Sequence, residues 1–329
     1  MSNKKKEILL EIKDLHIEGF SDEKWHKIIN GVDLKLYKGE VLGVIGESGA
    51  GKSTLGLASM GYTQPGCRIT GGQILFDGVD LVKLSESKKR KYWGDRMTYV
   101  AQSAAASFNP AHRLINQTTD STIRAGLKDR TIAFQDARRL YEALNLPDAD
   151  KIGERYPHQV SGGQLQRVMT AMAMSPNPDL IIFDEPTTAL DVTIQAQILD
   201  LMMELKDKRD DAAILLITHD LAVIAETCDR VIVMYGGVIQ EIAPIDELFK
   251  NPVHPYTKAL MESIPKMDIK EKRLKALKGM VPSILELDDG CKLCSRFDPE
   301  ECACKGTKFE PELIKISDGH FARVNLDVQ

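Results

Sequence analysis

The sequence predicts an α/β fold with a mainly parallel core sheet, an antiparallel β-rich beginning, a helical subdomain and a small C-terminal extension. Short apolar runs at 180–183, 213–217 and 231–234 are typical of buried strands. Between them lie longer segments with apolar residues at helical spacing, such as 192–208. Strands that alternate with helices favour a parallel sheet covered by helices on both faces.

The beginning of the chain predicts strands. The segments at 8–17 and 32–37 alternate between apolar and polar residues, and the segment at 41–46 is apolar and bounded by glycine. The pattern turns helical at 52–60, before a glycine and a proline. The first strands therefore lead into a strand, a glycine-rich turn and a helix.

Length and composition predict a division near residue 250. A chain of 329 residues exceeds the roughly 250–300 residues that one hydrophobic core serves. We expect a first domain over 1–250, with a helical subdomain at about 103–165. Prolines, a charged amphipathic stretch and a cysteine cluster follow, so residues 251–329 are expected to form the extension.

Charge and hydropathy exclude several classes of protein. The formal net charge of −5 disfavours a protein that mainly grips nucleic acid, because such binding needs a basic face. No run of apolar residues approaches the ~18 that a membrane-spanning helix needs. The basic first residues are not followed by the apolar region of a secretory signal. We therefore expect a cytoplasmic chain that does not itself cross a membrane.

A phosphate-binding loop is the clearest motif. The letters GESGAGKS match G-x-x-x-x-G-K-[ST], after an apolar strand and before a helix. Such a loop points backbone N–H groups at a polyphosphate, and the helix N-terminus adds positive potential. Lys52 is expected at the β- and γ-phosphates, Ser53 at Mg²⁺ and Thr54 on the α-phosphate side. The predicted loop comprises Gly46, Glu47, Ser48, Gly49, Ala50, Gly51, Lys52, Ser53 and Thr54.

Two adjacent carboxylates, Asp184 and Glu185, end the apolar strand at 180–183. If this strand lies beside the phosphate loop, Asp184 is placed to hold Mg²⁺ through water. Glu185 is then expected to act as a general base on the water that attacks the γ-phosphorus.

The letters SGGQ, followed by LQR, decide the class of phosphate-loop protein. These letters precede the apolar strand that ends in Asp184 and Glu185. In that position they resemble the signature of the ATP-binding cassette family. The resemblance implies a head-to-tail dimer of two ATPase subunits that encloses two ATP molecules. The signature of each subunit then faces the nucleotide of the other. The implied signature residues are Ser161, Gly162, Gly163 and Gln164.

Three more segments match loops of the same family: ALD, THD and YVAQ. The resemblance implies that Asp191 lines the dimer interface, that His219 contacts the γ-phosphate, and that Gln102 senses Mg²⁺ and water. Glu185 and His219 are both present, which disfavours a catalytically silent scaffold. The expected catalytic residues are Lys52, Gln102, Glu185 and His219, and the expected Mg²⁺ ligands are Ser53, Gln102 and Asp184.

An aromatic residue upstream of the phosphate loop stacks on adenine in this family. Phe20 and Trp25 both lie in that region, and spacing alone does not choose between them. Phe20 is the favoured candidate, and packing in the core is the alternative use of its ring.

Longer strings of letters resemble one branch of the family, the ATPases of dipeptide, oligopeptide and nickel importers. They are YPHQVSGGQLQRV, DEPTTALDVTIQAQIL, HPYTKALMESIP and GMVPS. One departure follows Gln102, where SAAASFNP replaces the Asp-Pro step that precedes an SLNP-like segment in that branch. In relatives this loop meets the membrane subunits, so we expect coupling or partner choice to differ here.

Four cysteines, Cys291, Cys294, Cys302 and Cys304, fall within 14 residues. Four thiolates can hold a Zn²⁺ ion or a [4Fe–4S] cluster, and disulfides are disfavoured in the cytoplasm. The resemblance favours the cluster, since some branch members hold one. However, only Cys291 and Cys304 match the positions of the branch, and free surface thiols stay the alternative.

The resemblance implies an ATP-binding and ATP-hydrolysing subunit that powers import of peptides or a related small solute, such as a nickel chelate. Its implied partners are a second ATPase subunit, either a paralogue or a copy of itself, two permease subunits and, indirectly, an extracytoplasmic binding protein. It is expected at the cytoplasmic face of the inner membrane as a peripheral subunit, with no nucleic acid partner. The alternative is a soluble cassette ATPase that acts on nucleic acid or ribosomes.

Overall fold

The computed structural model describes residues 7–186, 192–209, 211–263, 290–298, 300–304 and 306–325. The implied D-loop at 189–191, with Asp191, and the string GMVPS at 279–283 lie outside the described residues. The chain forms two compact units, and neither is continuous in sequence. The first comprises Met1–Leu10, Leu36–Val41 and Leu75–Ile217, and the second comprises Glu11–Lys35, Leu42–Ile74 and Thr218–Gln329. The boundary near residue 250 stays a prediction.

Strands and helices alternate through most of the described chain. The strands are β1 (Ile8–Ser21), β2 (Lys24–Tyr37), β3 (Val41–Ile45), β4 (Cys67–Phe76), β5 (Val79–Asp80), β6 (Met97–Val100), β7 (Leu180–Asp184), β8 (Ala213–Ile217), β9 (Arg230–Tyr235), β10 (Val238–Pro244), β11 (Leu313–Ser317) and β12 (His320–Arg323). The helices are α1 (Lys52–Ser59), α2 (Glu86–Lys89), α3 (Ala104–Ser107), α4 (Leu114–Arg124), α5 (Arg130–Ala143), α6 (Ala149–Ile152), α7 (Gly162–Met174), α8 (Val192–Lys208), α9 (Leu221–Thr227), α10 (Ile245–Lys250) and α11 (Pro255–Glu262). Short 3₁₀ helices lie at Leu81–Lys83 and Pro157–Gln159.

Three adjoining parallel strands lie in the first unit. They adjoin in the order β8-β7-β6, with Met97 opposite Leu180 and Leu180 opposite Ala213. Every residue of β7 and β8 is buried, as a parallel sheet with both faces covered requires. The predicted α/β class is confirmed.

Helices pack around one another in the same unit. Asp129 caps α5 by accepting hydrogen bonds from the N–H groups of Thr131 at 2.8 Å and Ile132 at 3.0 Å. The buried residues of α5 follow at helical spacing, and they are Ala133, Ala137 and Tyr141. Tyr141 reaches α4, where its hydroxyl lies 2.6 Å from that of Thr118. The apolar stripe of α5 therefore has a partner helix, which explains its helical periodicity.

The sheet of the second unit is mixed. Strand β3 pairs in parallel with β9, and β10 pairs antiparallel with both β9 and β12. The hairpin of β11 and β12 was not predicted from the sequence. Its turn holds Gly319 at φ 74°, a region that favours glycine. The hairpin therefore extends the sheet with residues from beyond position 310.

A buried carboxylate ties the C-terminal hairpin to the rest of this unit. Glu241 on β10 lies 2.7 Å from Nε2 of His320 and accepts hydrogen bonds from the N–H groups of Val253 and His254 at 2.8 and 3.0 Å. His254 in turn caps α11, since its Nδ1 accepts from the N–H of Tyr256 at 3.2 Å. Burial lowers the pKa of His254 to about 3, which keeps that nitrogen an acceptor.

The remaining strands form an N-terminal sheet, in which β2, β1 and β4 adjoin in that order. Among the residues that the structure describes, no helix has the length and apolar content to span a bilayer.

Candidate functional site

The phosphate loop follows β3 and leads directly into α1. Gly46 has a φ of 149° and Gly49 a φ of 83°, values that side chains rarely allow. A Cβ on Gly46 would lie 2.2 Å from the carbonyl oxygen of Met234, so the tight turn requires glycine. The loop is exposed at Ser48, Gly49 and Ser53, half-buried at Glu47, Gly51 and Thr54, and buried at Gly46, Ala50 and Lys52.

Lys52 begins α1 and folds its side chain back over the loop. Its Nζ donates hydrogen bonds to the carbonyl oxygens of Gly46 at 2.8 Å and Glu47 at 2.9 Å. These contacts hold the ammonium within the curve of the loop. An ammonium group and backbone N–H groups that share one curve of the chain can bind a single polyphosphate together.

The carboxyl end of β7 carries the two acids. The buried Asp184 accepts a hydrogen bond through Oδ2 from the Tyr99 hydroxyl at 2.6 Å. Burial and the charge of Asp184 raise the pKa of Tyr99, so its hydroxyl stays a donor. Glu185 has a φ of 48°, which is uncommon for a residue with a side chain. Its Oε2 accepts from Nε2 of Gln102 at 2.9 Å, so the first unit brings Gln102, Asp184 and Glu185 together.

The signature segment forms the exposed start of α7. The N–H of Gln164 donates to Oγ of Ser161 at 3.3 Å, and Oε1 of Gln164 accepts from the N–H of Ser161 at 3.0 Å. This reciprocal cap fixes the first turn. A Cβ on Gly162 would meet nothing within 4 Å. Ser161 and Gly162 are exposed, and Gly163 and Gln164 are half-buried.

His219 is exposed in the turn after Thr218, within the second unit. The backbone on both sides of it is fixed. Thr218 donates its N–H to the carbonyl of Val44 at 3.3 Å, and Asp220 caps α9 by accepting from Ala222 at 2.9 Å. The His219 side chain is thus presented from a short, anchored turn.

Phe20 and Trp25 contact each other, with ring centroids 5.2 Å apart and planes tilted by 55°. Phe20 is 54% exposed and Trp25 40% exposed, so neither ring packs in the core. The guanidinium of Arg68 lies 3.8 Å from the centroid of Trp25 and covers one face of that ring. Phe20 therefore offers the more open surface for stacking.

Two residues that the sequence analysis did not single out hold Glu47. Arg296 pairs with both carboxylate oxygens, and Nη2 donates to Oε1 at 3.2 Å. The Arg296 side chain is only 3% exposed. The Tyr256 hydroxyl accepts from the N–H of Glu47 at 3.0 Å. The partners are 209 and 249 positions away in sequence, so no local pattern could indicate them.

The four cysteines converge on one point. All four Sγ atoms lie within 4.8 Å of one another, and the pairs from Cys302 to Cys291, Cys294 and Cys304 measure 3.5, 3.9 and 3.5 Å. Cys294 and Cys304 are 3.3 Å apart. The hydrogen bond from Cys291 lowers the pKa of Cys302 to about 5, and the same contact raises the pKa of Cys291. The four sulfurs can therefore act together as ligands of one cation.

Two family profiles match the chain. The one described as "ABC transporter" covers residues 29–188, and the one described as "Oligopeptide/dipeptide transporter, C-terminal region" covers residues 240–304. Between them they include the phosphate loop, the signature, both acids and the cysteine cluster.

Relatives match over nearly the whole length. The oligopeptide transport ATP-binding protein AppD of Bacillus subtilis is 43% identical, over 96% of this chain and 95% of its own length. The dipeptide transport ATP-binding protein DppD of Haemophilus influenzae is 39% identical, over 94% of this chain and 92% of its own. A solved ATP-binding cassette, a post-hydrolysis dimer bound to ADP and phosphate, shares the fold with a TM-score of 0.65 and 24% identity. It spans 72% of this chain and 98% of that one.

Proposed function

The chain belongs to the ATP-binding cassette family of transporter ATPases, and on that premise we propose that it powers the import of peptides through a membrane transporter. The observation that carries the peptide assignment is the match of residues 240–304 to the C-terminal region of oligopeptide and dipeptide transporters. This region contains none of the motifs that the cassette ATPases share, the phosphate loop, the signature and the strand acids, so it carries information about the branch of the family. No observation on the part of the chain that the structure describes favours the nucleic acid alternative.

In the proposed reaction, a water oxygen attacks the γ-phosphorus of ATP while the bond from that phosphorus to the bridging oxygen of ADP breaks. Glu185 takes the proton of the attacking water. The hydrogen bond from Gln102 to Oε2 and the left-handed backbone at Glu185 fix where that carboxylate stands. The buried strand β7 supplies a rigid support for it.

The oxygen donors near the two acids suit Mg²⁺, which prefers hard oxygen ligands. We propose Asp184, Gln102 and the Ser53 hydroxyl as its ligands. Gln102 donates through its amide nitrogen, which leaves the amide oxygen as the atom directed at a cation. Bound Mg²⁺ would neutralise charge on the β- and γ-phosphates.

Lys52 and the loop N–H groups bind the phosphate chain, and His219 contacts the γ-phosphate in this proposal. The signature, from Ser161 to Gln164, is exposed at its first two residues and is proposed to face the nucleotide of a second ATPase subunit. Its open position at Gly162 supports this role, because a partner can approach the start of α7 without a clash. Asp191 is proposed to line the same interface.

We propose that two permease subunits hold this ATPase dimer at the cytoplasmic face of the membrane. Isolation of the full chain with its neighbours tests that assembly. We expect two permease chains and either one or two kinds of ATPase chain. Isolation with RNA or ribosomes in place of permeases would contradict the proposal.

Phe20 is proposed as the adenine platform. Replacing Phe20 with alanine is expected to weaken ATP binding about tenfold, since base–aromatic stacking contributes about 1–3 kcal/mol. Trp25→Ala is the matched control and should weaken binding less, because Arg68 covers one face of that ring. Equilibrium titration with a fluorescent ATP analogue measures both. A larger loss in Trp25→Ala would reverse the assignment.

We propose that the cysteine cluster binds one metal ion. Four sulfurs placed tetrahedrally about 2.3 Å from a single Zn²⁺ lie about 3.8 Å from one another. Four of the six sulfur–sulfur distances lie between 3.3 and 3.9 Å, and all six are within 4.8 Å. A [4Fe–4S] cluster places four irons inside the thiolates and needs wider spacing. These distances suit a single ion, so we propose Zn²⁺ in place of the iron–sulfur cluster that the resemblance favoured. Such an ion would hold the four sulfurs together and would not touch the reacting phosphate.

The expected stoichiometry is one zinc per chain, falling to none in a Cys302→Ser, Cys304→Ser variant. Elemental analysis of purified protein measures it, and Cys228→Ser, a buried cysteine outside the cluster, is the matched control. Four irons per chain with a visible charge-transfer band would contradict the zinc assignment. Absence of both metals would contradict any metal site.

A further inference from the structure

Arg296 belongs to the same short segment as two of the cysteines. Its N–H donates to the carbonyl of Leu293 at 2.9 Å, in a turn that starts at Cys291 and includes Cys294. The sulfur of Cys302 lies 3.5 Å from that of Cys291, and the sulfur of Cys304 lies 3.3 Å from that of Cys294. A metal ion held by all four sulfurs would therefore fix the backbone from which Arg296 extends.

The partner of Arg296 is an acid within the phosphate loop. A carboxylate at this position opposes anion binding, because like charges a few Å apart repel, and more strongly where water is partly excluded. The Glu47 side chain is 26% exposed. Arg296 engages both of its oxygens in a fork, which neutralises the carboxylate and also fixes its direction.

Aromatic rings support this pair from the second unit's core. The Arg296 guanidinium lies 5.8 Å from the ring centroid of Tyr235, and the rings of Tyr235 and Tyr256 are 4.8 Å apart. Tyr256 then accepts the N–H of Glu47. Both the side chain and the backbone of Glu47 are thus held by residues from beyond position 230.

We propose that Arg296 is a positioning residue that couples metal occupancy of the four-cysteine site to ATP affinity at the phosphate loop. With metal bound, the turn that starts at Cys291 holds Arg296 against Glu47. The phosphate loop then keeps its shape, and the negative charge of Glu47 is neutralised. Without metal, the turn loosens, Glu47 loses its partner, and ATP binds less tightly. The inference rests on the proposed metal site and on the phosphate loop.

A double-mutant cycle tests whether the Arg296–Glu47 pair controls ATP affinity. In the full-length chain, Arg296→Ala is expected to raise the dissociation constant of a fluorescent ATP analogue about tenfold, the loss of one charge-assisted hydrogen bond. In a Glu47→Gln background, the same change should have less than a twofold effect, because the carboxylate to be neutralised is gone. Arg296→Lys should restore part of the affinity. Equal losses in both backgrounds would show a general structural defect and overturn the proposal.

Metal removal tests whether the four-cysteine site controls that pair. Wild-type chain stripped with a thiol-compatible chelator should bind the analogue about as weakly as Arg296→Ala, and adding zinc back should restore binding. The Arg296→Ala variant should not respond to stripping. Lys315→Ala, at an exposed ion pair, is the matched control and should respond as wild type does. Thermal unfolding and metal content are recorded for each variant. If Arg296→Ala does not fold, Arg296→Lys takes its place in the comparison.

The outcomes separate the two claims. A purified chain without any metal contradicts the proposed metal site. A metal-loaded chain whose ATP affinity is unchanged on stripping contradicts the coupling while leaving the metal site intact.

Discussion

Replacing Glu185 with glutamine is expected to lower steady-state ATP turnover by about 10²–10⁴-fold, the usual contribution of a general base. The amide keeps the size of the side chain but cannot accept the proton of the attacking water. ATP binding should persist, because the phosphate loop and Lys52 are untouched. The measurement pairs phosphate release with nucleotide titration. ATP should accumulate on the protein without being cleaved.

Glu226→Gln is the matched control for this experiment. Glu226 is an exposed acid on α9, so the same chemical change there should leave turnover within twofold of wild type. If Glu185→Gln hydrolysed ATP at the wild-type rate, the assignment of Glu185 as the base would be wrong. Loss of binding together with turnover would instead assign Glu185 to nucleotide binding.

Replacing Lys52 with alanine is expected to weaken ATP binding by about 100-fold, and turnover should fall with it. The reason is the loss of charge-assisted hydrogen bonds to phosphate, which contribute about 1.5–3 kcal/mol each. The side chain lies within the curve of the loop, on the carbonyls of Gly46 and Glu47, so its removal also leaves those oxygens less well paired. Titration with ATP and with ADP measures the effect.

The loss should be larger for ATP than for ADP, because Lys52 is assigned to the β- and γ-phosphates. Lys83→Ala removes an exposed lysine that pairs with Asp80 and should change neither affinity. Equal affinity for ATP in wild type and Lys52→Ala would contradict the assignment of this loop as the nucleotide site.

Most of the fold could be predicted, because its patterns are local. Strand β8 is apolar throughout and β7 is apolar up to Asp184, and α8 spans the helical pattern at 192–208. The β11–β12 hairpin was missed because its strands are only five and four residues long, and the buried face of β12 consists of His320 and Ala322 rather than large apolar side chains.

The candidate site likewise has parts that local sequence motifs predict and parts that they do not. Motifs of fixed spacing indicate the phosphate loop, the signature and the two acids. The hold of Tyr256 and Arg296 on Glu47 depends on the path of the chain through the second unit, and no spacing encodes it. Similarly, the positions of the four cysteines in the sequence give the number of sulfur ligands. They do not give the sulfur–sulfur distances, on which the choice between a single ion and a cluster depends.

The most direct test of the central claim is ATP-driven uptake of a labelled peptide into vesicles that contain the isolated transporter, with its binding protein outside and ATP inside. The account predicts uptake with the wild-type chain and none with Glu185→Gln, although the assembled complex and its bound ATP persist. Peptide uptake that proceeds equally with Glu185→Gln, or ATP turnover that responds to RNA and not to peptide, would contradict it.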